Sequence, residues 1–347
     1  MIINGGEFGF IDRIRQWIGA DGKGVALGIG DDAAVLLPPP GKLLAACDML
    51  VEGVHFEKEY ISPWQLGWKA LAVNISDIAA MGGVPLFALV SMGLADWVDD
   101  AYVEGIYRGM LDIAERFGVE LVGGDTVRSP QTTVVNITIL GSANSPVTRS
   151  GACPGHLVAV TGYLGRSAAG LAYLQKMSHE QKTASQDMKG EIAWIDELIK
   201  AHLEPMPRIH EGRALAATGV ISAMMDISDG LAGEAHHIAG ESKVGVVLRE
   251  DAIPISESTL IAAESLECDP LEWALSGGED FELVFTFPPE STDTIRNALS
   301  GIGGSMYVVG HITPMTEGIV LIDSNDVKRN LLLKGYDHFS GKQALRS

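Results

Sequence analysis

The sequence predicts an α/β protein of two domains. Three observations point there: strand-like and helix-like segments alternate along the chain, a Pro-, Gly- and Ser-rich stretch divides it, and 347 residues exceed what one hydrophobic core usually organises. At roughly 100 to 200 residues per domain, two are expected. The composition agrees, with 46% hydrophobic residues to fill the cores and 41 Gly and 15 Pro to turn between short elements.

Before the divide, strand signals fall at residues 24–28 (GVALG), 42–48, 87–94, 119–122 and 132–140. The best-marked helix runs from Pro63 to about Met81: Ser62 can cap it, Pro63 suits its first turn, and Gly82-Gly83 followed by Pro85 ends it. That helix, PWQLGWKALAVNISDIAAM, is apolar on nearly all sides and should be buried on more than one face, which makes Asn74 and Asp77 conspicuous. The boundary itself is ANSPVTRSGACPGH, residues 143–156, giving domains of 1–145 and 146–347. Beyond it, strands are expected at 157–161, 219–225, 244–248, 281–287 and 306–309, and helices at 165–175, 184–203 and 292–299.

Charge and cysteine content narrow the function. With 25 Lys and Arg against 45 Asp and Glu, the formal charge of −20 repels nucleic acid and anionic membranes. An anionic substrate would therefore have to be recruited by metal ions, local Arg residues or backbone N–H groups. Cys47, Cys153 and Cys268 are far apart and odd in number, fitting a reducing compartment and neither a zinc site nor a disulfide framework. No basic segment followed by an apolar stretch opens the chain, and no run of about 18 apolar residues occurs, so a cytoplasmic protein is expected, neither secreted nor membrane-spanning.

GIGDDAAVL, residues 28–36, superficially matches a GxGxxG fingerprint, but Asp31 and Asp32 stand where a pyrophosphate would meet backbone N–H groups. The stretch is either a solvated turn or a place where a cation sits between acid and phosphate. GxxxxGK[ST] is absent, so ATP chemistry would need a device other than a Walker cradle. HExxH and GxSxG are absent too.

The remaining acidic motifs offer such a device. Asp48 ends the apolar strand LLAACD, Asp77 lies on the apolar helix, Asp125 follows Gly-Gly in VGGDTV, Asp226 and Asp229 punctuate MDISDG, and Glu279 sits in SGGEDFEL. A carboxylate beside a buried segment loses hydration worth several kcal/mol unless something compensates. A divalent cation is one compensation, and Mg2+ favours a few carboxylates plus waters and phosphate oxygens. Asp226 and Asp229 lie three apart, as do Asn74 and Asp77, so each pair can face one centre. Ordinary caps and turns explain each acid singly as well, Asp229-Gly230 above all.

Taken together the motifs resemble the thiamine-monophosphate kinase family, within the wider group of ATP-binding enzymes similar to aminoimidazole ribonucleotide synthetase. The resemblance runs from GEFGFIDRI (Gly6) through GIGDDAAVL, DMLVEGVHF, WKALAVNISDIAAMGGVP, LVGGDTVRSP, TRSGACPGH, MDISDGL and ALSGGEDFELVF to KGYDHF, in order. It implies an N-terminal domain with a mixed sheet and helices that binds ATP and metal and pairs into a homodimer, and a C-terminal sheet flanked by helices. It also implies ATP and several Mg2+ ions held between motifs of the two domains, and phosphorylation of thiamine monophosphate to thiamine diphosphate by direct in-line transfer. By position it makes Asp32, Asp48, Asp77, Asp125, Asp226 and Asp229 metal ligands, with Asp77, Asp226 and Asp229 the catalytic set. Gly124, Asp125, Arg149 and Ser228 go to the nucleotide, with Tyr107 either on the adenine side or packing. His55, Glu279 and Tyr336 go to thiamine phosphate. Where relatives carry hydroxyl residues before the strand-end aspartate, this chain has Ala46 and Cys47, so a hydroxyl ligand is missing there. Two rivals in the wider group lose ground: a selenophosphate synthetase needs a reactive Cys in an N-terminal loop, and none precedes Cys47. A carbamoyl-dehydrating maturation protein carries a C-terminal Cys, and this chain ends QALRS. A non-catalytic metal- or nucleotide-binding module is the alternative of another class.

Overall fold

A computed structural model describes residues 6–19, 22–181 and 192–332. The chain forms two compact units. One comprises the described residues up to Ile78 with Gly83–Ser145; the other comprises Ala79–Gly82 and the described residues from Pro146 onward.

The first unit runs α1 (Gly6–Ile18), β1 (Val25–Leu27), β2 (Val35–Leu36), β3 (Lys42–Val51), α2 (Pro63–Ala80), β4 (Val84–Leu94), α3 (Asp100–Phe117), β5 (Glu120–Arg128) and β6 (Val134–Ala143). Strands β3-β6-β4-β5 make a mixed sheet in that order, antiparallel except for β4 with β5. Alternation along the strands divides its two faces. Val135, Ile137 and Ile139 of β6 and Ala88, Val90 and Met92 of β4 are buried on one face, where Ile78 of α2 lies against Gly141. The opposite face carries Leu43, Cys47 and Met49 of β3, all exposed. Cys47 Sγ accepts from Asn136 Nδ2 there at 3.1 Å.

Helix α2 is bounded as its sequence predicts. Ser62 Oγ accepts from the Gln65 N–H at 3.2 Å while Gln65 Oε1 accepts from the Ser62 N–H at 3.1 Å, a reciprocal capping box. Its apolar surround arises because it also packs closely on α3. A Cβ at Gly67 would lie 1.9 Å from the Ile106 carbonyl oxygen, and one at Gly109 would lie 1.8 Å from that of Trp64. Only glycine permits that approach.

The second unit runs β7 (Leu157–Val160), α4 (Arg166–Gln181), α5 (Ile192–Leu203), α6 (Ile209–Ala217), β8 (Ala223–Asp226), α7 (Leu231–Ser242), β9 (Gly245–Arg249), α8 (Glu257–Leu266), α9 (Pro270–Ser276), β10 (Leu283–Phe287), α10 (Thr292–Ser300), β11 (Tyr307–Thr313), β12 (Ile319–Ile322) and β13 (Lys328–Asn330). Its sheet has the order β13-β12-β9-β11-β7-β10-β8, largely antiparallel with β12 and β9 parallel, so β8 is an edge strand. One core cluster joins this sheet to α7 and α9 through Val158, Met225, Leu231, Ile238, Leu275 and Val284. A second packs α4, α5 and α8 together through Ala169, Tyr173, Leu198 and Ala262. Among the described residues no helix is long and apolar enough to cross a membrane.

Two expected strands begin later than the sequence suggests. Residues 219–222 are not strand because Gly219 adopts φ 70° in the turn leaving α6. Residues 279–282 belong to a loop in which Glu279 and Phe281 have φ 56° and 50°, outside the extended region.

Candidate functional site

In the first unit, β1 and β2 pair antiparallel and GIGDDAA forms their connection. No helix follows it, so the dinucleotide-type strand–turn–helix is not formed. Asp31 and Asp32 are exposed there, and Asp31 Oδ1 accepts from the Asp32 N–H at 2.8 Å, a local turn bond. Asp48 lies on edge strand β3, and its N–H donates to Asn74 Oδ1 at 3.0 Å, while Asn74 Nδ2 donates to the Ala70 carbonyl at 2.9 Å. Buried Asn74 thus ties α2 to the strand at Asp48, and Asp77, half-buried, follows one turn later on the same helix.

Asp125 is exposed on β5 opposite Ser91 of β4. Its neighbour Gly124 has φ 155°, and a Cβ there would fall 1.7 Å from the Val90 carbonyl oxygen, so the strand can take this path only with glycine. His55 is half-buried in the turn after β3, where its Nδ1 accepts from the Val51 N–H at 3.1 Å. That bond selects the neutral tautomer with the proton on Nε2. Tyr107 is in the core, 4% exposed, with its ring 5.7 Å from that of Trp17, and burial raises its hydroxyl pKa. Its position is a packing one.

In the second unit two motifs are laced together by backbone. The Glu279 N–H donates to the Ser228 carbonyl at 2.7 Å, the Phe281 N–H to that of Ile227 at 2.9 Å, and the Ile227 N–H to that of Glu282 at 2.7 Å. Asp226, 4% exposed, ends β8, Asp229 is exposed, and Ser228 is half-buried between them. Arg149 is exposed on the segment alongside: the Met224 N–H donates to the Thr148 carbonyl at 3.0 Å, and Ser242 Oγ donates to that of Arg149 at 3.2 Å. Tyr336 lies outside the described residues.

The structure adds four groups that sequence reasoning passed over. Glu234, 1% exposed on α7, accepts at Oε1 from the N–H groups of Ser228 at 3.0 Å and Asp229 at 2.9 Å, while its buried Oε2 has no hydrogen-bond partner. Burial pushes its carboxyl up to about 8; the charges of Asp226 and Asp229 add to the shift and the two N–H bonds oppose it. Asp280 accepts from the Gly165 N–H at 2.7 Å and the Ser167 N–H at 3.2 Å, capping α4 from a distant loop, and desolvation still pushes it up to about 7. Fully buried Glu282 accepts from Arg208 Nε at 2.8 Å and Nη2 at 2.5 Å, and from Thr161 Oγ1 at 2.7 Å. Buried His202 on α5 brings Nδ1 within 3.2 Å of Glu279 Oε2. The sequence marks Glu279 in SGGEDFEL and leaves Asp280 and Glu282 without a role; the fold sends each acid to its own partner.

Residues 30–143 match the family of the AIR synthase related protein N-terminal domain, and residues 154–323 that of its C-terminal domain. The thiamine-monophosphate kinase of Bacillus subtilis (strain 168) is 37% identical over 318 residues, covering 91% of this chain and 94% of the relative. The chain belongs to the thiamine-monophosphate kinase family. Among solved structures, the thiamine-monophosphate kinase of Stenotrophomonas maltophilia K279a matches with TM-score 0.78 at 31% identity, covering 91% of this chain and 96% of that one. AaThiL complexed with AMPPCP and TMP matches with TM-score 0.75 at 33% identity, covering 96% and 97%. As a member of the thiamine-monophosphate kinase family the chain has the expected two-part α/β architecture, with a mixed sheet in each unit. Within the described residues no three His, Cys, Asp or Glu side chains are grouped so as to hold a metal ion. The structure does bring Asp226 and Asp229 onto one turn with Glu234, and Asp48 beside the helix that bears Asp77.

Proposed function

We propose that this chain transfers the γ-phosphoryl group of ATP to the phosphate of thiamine monophosphate, giving thiamine diphosphate and ADP. The observation that carries this reading is the likeness to thiamine-monophosphate kinases over nine-tenths or more of both chains. A relative at 33% identity that holds AMPPCP together with TMP supports it. The acceptor is a phosphate monoester, already anionic near neutral pH, so no strong general base is required. In a direct in-line step an acceptor phosphate oxygen bonds to the γ-phosphorus as the bond to the β,γ-bridging oxygen breaks, and ADP leaves.

The work of the protein is then positioning and charge compensation. Arg149 would supply a fixed positive charge to the nucleotide phosphates, and Ser228, Gly124 and Asp125 would also serve the nucleotide. His55 donates from Nε2, and Glu279 accepts from thiamine monophosphate, with Tyr336 on the same substrate. Asp32, Asp48, Asp77, Asp125, Asp226 and Asp229 would hold Mg2+. The residues present fit that ion in kind: the donors are all carboxylates, as a hard cation prefers, and buried Glu234 beside Asp226 and Asp229 keeps one oxygen without a hydrogen-bond partner. Bound Mg2+ would neutralise phosphate charge that a chain of net charge −20 otherwise repels.

The same reading includes a homodimer of the N-terminal unit in a reducing cytoplasm. The uncovered face of its sheet suits a second copy: Leu43 is 59% and Met49 51% exposed there. Sedimentation should show a dimer, and Leu43→Asp combined with Met49→Lys should shift it to monomer; a monomeric wild type would end that part of the reading. The activity is tested by incubating purified protein with ATP, Mg2+ and thiamine monophosphate. Thiamine diphosphate is the expected product, and ATP binding without product would favour a non-catalytic module.

A further inference from the structure

We propose that His202 is a positioning residue for the acceptor substrate, holding the Glu279 carboxylate in the orientation in which it meets thiamine monophosphate. The inference rests on the acceptor role proposed above for Glu279 and extends it to a helix that no motif marks.

Glu279 sits in a backbone conformation that few residues with a side chain adopt, φ 56°, and Phe281 two positions on has φ 50°. Such residues are strained and persist only where the surroundings over-determine them. Here the surroundings do. The loop backbone is pinned to Ile227 and Ser228, Asp280 is fixed by two amides at the start of α4, and Glu282 is locked by Arg208 and Thr161. The Glu279 side chain is half-buried and meets His202, whose Nδ1 is 3.2 Å from Oε2.

His202 is held in turn. It is 4% exposed at the end of α5, and its Nδ1 is 2.9 Å from Oγ of Ser167, which is itself 1% exposed on α4. Nδ1 therefore lies between Ser167 Oγ and the Glu279 carboxylate, and turning the ring would separate it from both. A buried imidazole fixed on two helices and aimed at a carboxylate in a strained loop sets the direction of that carboxylate. His202 itself need not touch substrate.

Steady-state kinetics on two variants tests this. In His202→Asn the side-chain amide can occupy the place of Nδ1; in His202→Gln it falls nearer Nε2 and cannot. The expected result is a rise in KM for thiamine monophosphate on the order of 10- to 100-fold in His202→Gln, an unchanged KM for ATP, and recovery of most of the loss in His202→Asn. In a Glu279→Gln background, His202→Gln should add no further loss. An unchanged KM for thiamine monophosphate in folded His202→Gln, equal rises in both KM values, or equal impairment of the two variants would overturn the inference. Thermal unfolding of each variant identifies a folding defect; if His202→Gln is unfolded, His202→Ala carries the test, with the same selective rise in KM for thiamine monophosphate expected and an unchanged KM overturning the inference. Wild-type protein inactive on thiamine monophosphate would remove the proposed function and this inference together. Activity that responds to Glu279→Gln but not to His202 substitution would remove the inference alone.

Discussion

The two units hold their acids in opposite ways. In the first, Asp32, Asp48 and Asp125 are exposed, and what is fixed is the backbone beneath them: the Asn74 bridge at Asp48 and the glycine that lets β5 pass Val90. In the second, Asp226, Glu234 and Glu282 are withdrawn from water, and their neighbours compensate in full for Glu282 and only in part for Glu234. Carboxylates left near water cost little to keep. Those taken out of it hold their direction at the expense of stability. The first unit therefore leaves its carboxylates in water over a fixed backbone, whereas the second holds its acids in a set geometry away from water.

The largest expected effect probes whether this contrast matters to chemistry. Asp226→Asn and Asp77→Asn should each lower kcat on the order of 10³-fold or more. Thermal unfolding should show that both variants remain folded, so the loss is one of turnover. Full activity in one variant would take that residue out of the metal set. Next in size is Glu282→Ala, which leaves Arg208 with Glu211, 3.5 Å away, as its counter-charge among the described residues. Denaturant unfolding should reveal a loss of about 3 kcal/mol. A loss under about 1 kcal/mol would mean the pair behaves as an exposed one, and the contrast between units would weaken.

The smallest effect concerns pH. Glu234 has its carboxyl raised from 4.5 to about 8 in the folded protein. The folded state therefore keeps a proton that the unfolded state has released, and stability falls as pH rises from about 4.5 to about 8. Asp280, raised from 3.8 to about 7, acts in the same direction over a lower window. In metal-free protein Tm should decline across this range, and Glu234→Gln should flatten the decline and raise Tm at pH 8. A variant whose Tm follows the wild-type pH curve would show that Glu234 is ionised in the folded state.

Much of this fold is legible in the sequence because it depends on local rules. Ser62, Pro63 and the Gly82-Gly83 pair bound α2 wherever the helix packs, and the expected end at Met81 is one residue from the observed Ala80. The acids of MDISDG stand out because they interrupt an apolar run. His202 and Arg208 do not stand out, since the partners that fix them lie far away in sequence: 77 residues separate His202 from Glu279, and 74 separate Arg208 from Glu282. Burial depth is equally invisible. Tyr107 in α3 has the residue type of a nucleotide-stacking group, and only the Trp17 contact reveals it as core.

Strand β8 lies at the sheet margin, and the segment that carries Arg149 covers part of that margin through the bond from the Met224 N–H to Thr148. An open margin is where a second chain can add itself, strand upon strand, into an aggregate. The segment thus acts as a guard for solubility as well as a carrier of positive charge. Redesign of residues 147–150 would have to retain the Thr148 carbonyl bond to keep this margin covered.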